Sequence, residues 1–486
     1  MGESLKEKTA KGVSWGFIDN ILSSGITAAA TIVLARLLTD TDFGIIGMTS
    51  IFLTLSTSLV DSGFHGALVR KKEATEEDKN TVFYFNLILS LVLYAILYFS
   101  APYIARFFAV DILVKVIRIL GISLIINALS IVNKVILVRK MDFRTQAVIS
   151  SISSVISGIL AIGAAVAGYG LWSLVVMQLS KLAVYMVMLW CFTRWKPGLV
   201  FSVASFREMF SFGSRLLLTS IISTLWNEMY SFIIGKMYSA SVLGQFSRAD
   251  KIKNMVTSNV STVMQKVSYP VLASIQDERE RQKQVYRKIL KTTMLISFTA
   301  VFGVWAIAES FTVTVFGPQW LPSVAYLKII CLSGVFLPLM MCSANVINAD
   351  GRSDLTLILE IVKTVMAVIP VIFGIFVSIE ALLWSMVAVY AFLYAVHGIF
   401  VSRILGYGLS SQICDILPTF TVAAIMAFTV NLWNFVGMDH WLRLLLQLGT
   451  GFAVVVIVYE TLYRNEEYTD IRNEFLKYIR KLYGKK

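Results

Sequence analysis

Apolar runs about 20 residues long follow one another along nearly the whole chain, and each can cross ~30 Å of hydrocarbon as a helix. Lipid offers no hydrogen bonds, so a spanning segment must satisfy its own backbone, which leaves helices as the fold for runs of this length. Hydrophobic residues make up 57% of the chain, charged residues 15%, and the mean hydropathy is +0.74, values that exclude a soluble globular class. The runs fall near 13–34, 43–64, 81–101, 114–138, 147–167, 171–191, 211–235, 248–273, 290–313, 324–348, 355–377, 381–401, 416–436 and 441–462. The expectation is an all-α polytopic membrane protein of about fourteen transmembrane helices.

Charge orients these spans. The net charge is +13, and the basic loops are Arg70 to Lys72, Arg139 to Arg144, Arg194 to Arg207, Arg279 to Lys291 and the tail after Tyr463. All lie on one side if both termini are cytoplasmic, whereas the opposite loops, Gly168 to Gly170 and Ser378 to Glu380, are short and poor in Lys and Arg. The positive balance is therefore read as cytoplasmic loops and not as nucleic-acid binding. Lys6, Lys8 and Lys11 precede the first run, but that run is too long for a signal peptide and contains Asp19 and Asn20, so it is kept as the first span. Cys191, Cys331, Cys342 and Cys414 show no metal-ligand spacing and read as small packing residues.

One stretch is written twice. Asn20, Ser23, Ser24, Thr27 and Thr31 share one face of a helix, and two hundred positions later Ser220, Ser223, Thr224, Asn227 and Ser231 repeat that stripe. LARLLTDTDFG is answered by IGKMYSASVLG, and LWSLVV at 171–176 by LWSMVA at 383–388. Helices one to six and seven to twelve thus read as two copies of one unit in the same orientation. The expected organisation is an N-terminal six-helix lobe over 1–200 and a C-terminal six-helix lobe over 201–405. Residues 406–486 add two further spans and an amphipathic tail, with Ile471, Phe475, Tyr478, Ile479 and Leu482 beside Lys477, Arg480 and Lys481.

A polar stripe on a membrane helix must face protein or water. The eighth span is the most polar, with Lys251, Asn254, Ser258, Ser261, Thr262, Gln265 and Lys266 on one arc, and the second carries Thr49, Ser50, Thr54, Ser56, Thr57 and Ser58 and ends in Asp61. The economical explanation is a hydroxyl-lined cavity with cations, suited to a sugar-bearing anionic substrate. The alternative is Ser and Thr tucked against neighbouring helices. Lys181, deep in an apolar run, costs at least ~3 kcal/mol unless it finds water or a partner, so it is either an anion contact or half of a structural pair. Asp19 and Asp61 are candidate proton or cation sites, with structural pairing or helix-end hydration as the alternative. No phosphate loop, HExxH or CxxC motif occurs, so no catalytic residues, metal or cofactor are expected, and transport, not an enzyme activity, is the default.

LARLLTDTDFGIIGM, LVDSGFHGALVRKKEAT, ILVRKMDFR with GYGLWSLV, and in the second half YPVLASIQDE and VINADGRSDL resemble the bacterial polysaccharide flippases. These are the Wzx-type members of the multidrug/oligosaccharidyl-lipid/polysaccharide (MOP) exporter superfamily, in the branch of colanic and teichuronic acid exporters. The resemblance implies a MATE-like pair of pseudo-symmetric six-helix bundles and alternating access. It implies transfer of undecaprenyl-pyrophosphate-linked oligosaccharide across the bacterial inner membrane, with polysaccharide polymerase machinery as a candidate partner and the lipid bilayer as the setting. It supplies no residue set that can be carried over. The substrate candidates therefore rest on position and polarity: Lys181, Lys251 and Lys266 for the pyrophosphate; Asn20, Ser24, Thr27, Ser220, Thr224, Asn227, Asn254, Ser258 and Thr262 for the sugars. The rival readings are a MATE-like multidrug or cation antiporter and a membrane glycan polymerase or ligase.

Overall fold

The computed structural model describes the backbone of residues 5–61, 63–71, 73–463 and 466–483. Within these it describes the side chains other than those at 5–14, 16–18, 20, 21, 212, 215, 216, 218, 219, 259, 263, 266, 267, 353, 462, 471, 475, 478, 479 and 481–483. Every regular element among the described residues is helical. The chain divides into two compact units, 1–244 and 245–486.

The first unit holds α1 (Leu5–Leu37), α2 (Asp40–Asp61), α3 (Phe64–Arg70), α4 (Glu76–Phe108), α5 (Leu113–Leu120), α6 (Ile122–Arg139), α7 (Phe143–Val166), α8 (Leu171–Thr193) and α9 (Val203–Met237). Helix α10 (Ala240–Ser274) starts there and continues into the second unit. That unit holds α11 (Arg279–Phe316), α12 (Pro322–Gly334), α13 (Phe336–Ala349), α14 (Ser353–Met366), α15 (Val368–Phe376), α16 (Ile379–Leu405), α17 (Leu409–Asn431), α18 (His440–Ile457) and α19 (Glu466–Tyr483). Among the described residues eleven helical stretches are long and apolar enough to cross a membrane. The other three expected spans are helices as well, α1, α9 and α10, the ones that carry the polar stripes; α1 includes a shorter apolar piece, Leu22–Leu37.

Several spans are broken for local reasons. Pro338 and Pro370 each lack an N–H and crowd the carbonyl four residues back, at Gly334 and Met366, where α12 and α14 end. Between α5 and α6, Gly121 lies against the Tyr94 ring so closely that a Cβ there would stand 2.9 Å from it. The α2–α3 junction turns at Gly63, whose φ of 68° favours glycine. A Cβ at Gly63 would stand 2.4 Å from the Gly213 carbonyl of α9.

The seventh expected span therefore packs within the first unit. The repeat boundary near residue 200 and the packing boundary at 244/245 differ by one helix. Polar contacts account for this: Ser50 of α2 donates to Glu228 of α9 at 2.6 Å, and the Ser58 and Thr224 hydroxyls are 3.2 Å apart. The segment leading into α9 is tied to the start of α4, where Thr75 and Asp78 form a capping box. Trp195 donates to Glu76 at 2.9 Å, Gly198 N–H to Asn80 at 2.9 Å and Ser202 N–H to Thr81 at 3.0 Å.

In the second unit α17 and α18 lie on α11 through Ala306, Met426, Ala427 and Val430, all buried. Buried Arg443 of α18 reaches Glu309 of α11 at 3.3 Å. The tail forms α19, joined to α11 by Lys288–Asp470 at 2.7 Å. Ile471, Phe475, Tyr478, Ile479 and Leu482, the expected apolar face, lie outside the described side chains.

Candidate functional site

The first unit holds an open pocket of about 440 Å³ whose lining includes Thr54, Thr57, Ser58 and Asp61 of α2, Ser123 of α6, and Gln178 and Lys181 of α8. Period-3.6 geometry explains the set. Thr54, Ser58 and Asp61 are spaced four and three apart, and Gln178 and Lys181 three apart, so each helix offers one polar face. In hydrocarbon those faces would be costly; against one another and water they are not.

Lys181 is the cation of this cavity. Its Nζ donates to Thr27 Oγ1 at 2.9 Å, while the Thr27 hydroxyl donates to the Ser23 carbonyl at 2.7 Å, leaving its lone pairs for the ammonium. Asp19 is within electrostatic range and takes a hydrogen bond from Ser150 at 2.5 Å, but among the described residues no carboxylate lies at ion-pair distance from Lys181. The lysine therefore keeps donors for something else. Asp61 is the facing anion. Its Oδ1 is buried without a hydrogen-bond partner among the described residues, next to the α2–α3 break. Broken membrane helices are tolerated where they line a cavity, which is the case here.

In the second unit α10 presents Lys251, Asn254, Ser258 and Thr262, all exposed. Asn254 donates to Asp250 at 2.7 Å and buried Lys253 binds the other Asp250 oxygen at 2.7 Å. Ser258 bonds back to the Asn254 carbonyl.

Residues 33–325 match the family described as a polysaccharide biosynthesis protein. The chain belongs to that family. It is similar to the teichuronic acid biosynthesis protein TuaB of Bacillus subtilis (strain 168), 27% identical with 92% of this chain and 94% of that protein covered. It is similar to the lipopolysaccharide biosynthesis protein WzxC of Escherichia coli (strain K12), 23% identical with 76% of each covered. Among solved structures, the lipid II flippase MurJ in an inward closed conformation shares the fold, with a TM-score of 0.73, 16% identity, and 92% of this chain and 98% of that one covered.

In this polysaccharide biosynthesis protein the sequence candidates fall into two groups. The first unit brings together Lys181, Thr27, Asp61 and Asp19, and sets Thr224 against Ser58. Ser24, Ser220 and Asn227 are exposed on α1 and α9, outside the lining of this cavity. Asn20 and Lys266 lie outside the described side chains. Sequence reasoning passed over Gln178, Ser123, Asp250 and above all Glu228. The last was findable: it stands four residues after Thr224, on the same stripe, and an acid inside a span is by default a functional candidate.

Outside the spans, Lys71 donates to Asp78 and to Glu208, each at 3.0 Å, and these two carboxylates hold its ammonium above the usual lysine range. The Arg139 guanidinium donates to the Leu68 carbonyl at 2.7 Å and to that of Lys71, closing the end of α3.

Proposed function

We propose that this chain is a flippase that moves polyprenyl-pyrophosphate-linked oligosaccharide units across the bacterial inner membrane for surface polysaccharide assembly, by alternating access. Family membership and the kinship with TuaB and WzxC, both polysaccharide biosynthesis proteins, support the reading. The observation that carries it is a cavity among membrane helices whose lysine is held by a hydroxyl and not by an acid. Lys181 takes the pyrophosphate, with Lys251 and Lys266 as further cations, and the Ser, Thr and Asn stripes meet the sugars. The lipid tail stays in the bilayer. Asp61 and Asp19 are the coupling-ion candidates, and Glu228 joins them. Both termini are cytoplasmic, which puts the basic loops inside. The repeats of 1–200 and 201–405 supply the moving bodies, with α9 packed in the first unit, 406–486 is an addition, and polymerase machinery receives the product.

The test is complementation of a flippase-deletion strain with single Ala variants of Lys181, Lys251 and Lys266, read as surface polysaccharide at matched protein levels. Lost export for Lys181 supports the assignment, and wild-type export in all three refutes it. Drug hypersensitivity of the deletion strain with intact surface glycan would favour a multidrug exporter instead.

A further inference from the structure

The sequence repeat supplies an internal comparison for the open pocket of the first unit. Counting by the repeat, Thr54, Thr57 and Ser58 correspond to Asn254, Thr257 and Ser258, Ser123 to Ser333, and Gln178 and Lys181 to Tyr390 and Leu393. In the second unit these positions are closed. Asn254 donates to Asp250 at 2.7 Å, Thr257 to the Lys253 carbonyl at 3.1 Å, Ser258 to the Asn254 carbonyl and Ser333 to the Ile330 carbonyl at 2.7 Å. Thr257, Ser333 and Leu393 are buried. So is Lys253, the counterpart of Leu53, whose stem lies so near Gly334 that a Cβ there would stand 3.2 Å from its Cγ. In the first unit Thr54, Thr57, Ser123 and Gln178 line the pocket beside Leu53, and their side chains make no hydrogen bond among the described residues. A hydroxyl in a membrane helix can bond back to its own backbone, as Thr27 and Thr31 do. These four do not, and what remains for them is water or a ligand.

We propose that Thr54, Thr57, Ser123 and Gln178 recognise the one sugar bonded directly to the pyrophosphate, and that this sugar is neutral. The assignment rests on the flippase reading above, with Lys181 on the pyrophosphate. Hydroxyls and a carboxamide each donate and accept, which is what a ring of hydroxyls, with or without an acetamido group, requires. An isoprene chain offers them no partner, so the glycan end of the cargo points into the pocket and the lipid end away from it. Distance selects the first sugar. Gln178 stands one turn from Lys181, with about 5–6 Å between their Cβ atoms, so a phosphate on the ammonium brings the group bonded to it within reach. Volume agrees, since 440 Å³ is room for roughly fifteen water-sized groups at about 30 Å³ each, a hexose ring with its phosphate and not an oligosaccharide. Charge selects a neutral ring. None of the four side chains is ionised and Lys181 is taken by the phosphate, so a uronate would bring its carboxylate out of water with no counter-ion.

The experiment measures binding to the full chain in lipid nanodiscs, with polyprenyl pyrophosphate either bare or bearing one glucose, galactose, N-acetylglucosamine or glucuronate. The quantity read is the affinity for each sugar-bearing lipid divided by that for the bare lipid. At least one neutral sugar is expected to give a ratio of tenfold or more, and glucuronate a ratio near one. Gln178→Ala is expected to cut the neutral-sugar ratio at least fivefold. The double variant Thr57→Val with Ser123→Ala, which keeps the shape and removes two hydroxyls, is expected to do the same. Lys181→Met should lower both affinities alike and leave the ratio in place. A ratio below tenfold for every neutral sugar, a glucuronate ratio equal to the best neutral one, or a ratio that neither the Gln178 nor the double variant lowers overturns the assignment. Wild-type chain that binds none of these lipids sinks the flippase reading itself, so the two failures are distinct.

Discussion

Gly44 and Gly244 lean on each other's helices in a reciprocal contact. A Cβ on Gly44 would fall 1.7 Å from the Ala240 carbonyl oxygen, and one on Gly244 would fall 2.0 Å from that of Asp40. Each glycine meets the residue four before its repeat mate, the signature of a local two-fold relation. Ser241 adds a hydrogen bond to Asp40 at 2.6 Å. Neither obstacle is a flexible side chain, so Gly44→Ala and Gly244→Ala must each push backbone apart, at about 1–3 kcal/mol. One separation relieves both clashes, so the double variant should cost clearly less than the sum of the singles. Melting temperatures of the three purified variants check this, and strict additivity would contradict it.

Lys181→Met should keep the fold and lose export. Removing a hydrogen bond to a charged group costs about 1.5–3 kcal/mol, or roughly 10- to 150-fold in the step that needs it. Thr27 retains its bond to the Ser23 carbonyl, so the local helix is not disturbed. Lys181→Arg preserves the charge and should restore part of the activity. Surface polysaccharide per unit of membrane protein is the measurement, and equal export by Lys181→Met and wild type would contradict it.

Much of this was legible from the residues because lipid is a simple judge. Runs of about 20 apolar residues have one stable backbone there, and the stripes and repeat had few readings. The breaks at Met366 and Gly334 lie four residues before Pro370 and Pro338, but Pro270 sits inside the unbroken α10, and Gly121, between α5 and α6, lies against Tyr94, a residue distant in sequence. Lys181 and Asp61 were visible as misplaced charges. That they line one cavity was not, because periodicity fixes the face of a helix and not its neighbour. The same gap hid the partner of α9: Ser50 and Glu228 are 178 residues apart, and no spacing rule joins them.

Asp61 should separate driven transport from exchange. Its Oδ1 is buried with no hydrogen-bond partner among the described residues, a costly arrangement for a polar atom. Asp61→Asn keeps the shape and removes the charge, so in proteoliposomes it should retain lipid-linked sugar exchange while losing its response to an imposed ion gradient. Glu228→Gln is the companion variant, since the amide oxygen still accepts from Ser50. A full gradient response in both variants would remove these two carboxylates from the coupling path.

Lys71 supplies the pH test. It bridges Asp78, which is buried, and Glu208 on α9, and the pair holds its pKa above the ordinary lysine value. For a cation raised on folding, the stabilisation is fully present below the unfolded value of about 10.4 and is lost as pH rises through the higher folded value. Lys71→Met should therefore melt below wild type by a constant interval between about pH 6 and 9, well under that unfolded value. The interval should close only in strongly alkaline solution, as the wild-type lysine gives up its proton. The neutral-pH loss should be on the order of 1–3 kcal/mol, because the buried Asp78 carboxylate loses its cation and keeps only hydrogen bonds such as those from Thr75 and Ser205. A gap that already closes between about pH 6 and 8 would mean that a group other than Lys71 sets it.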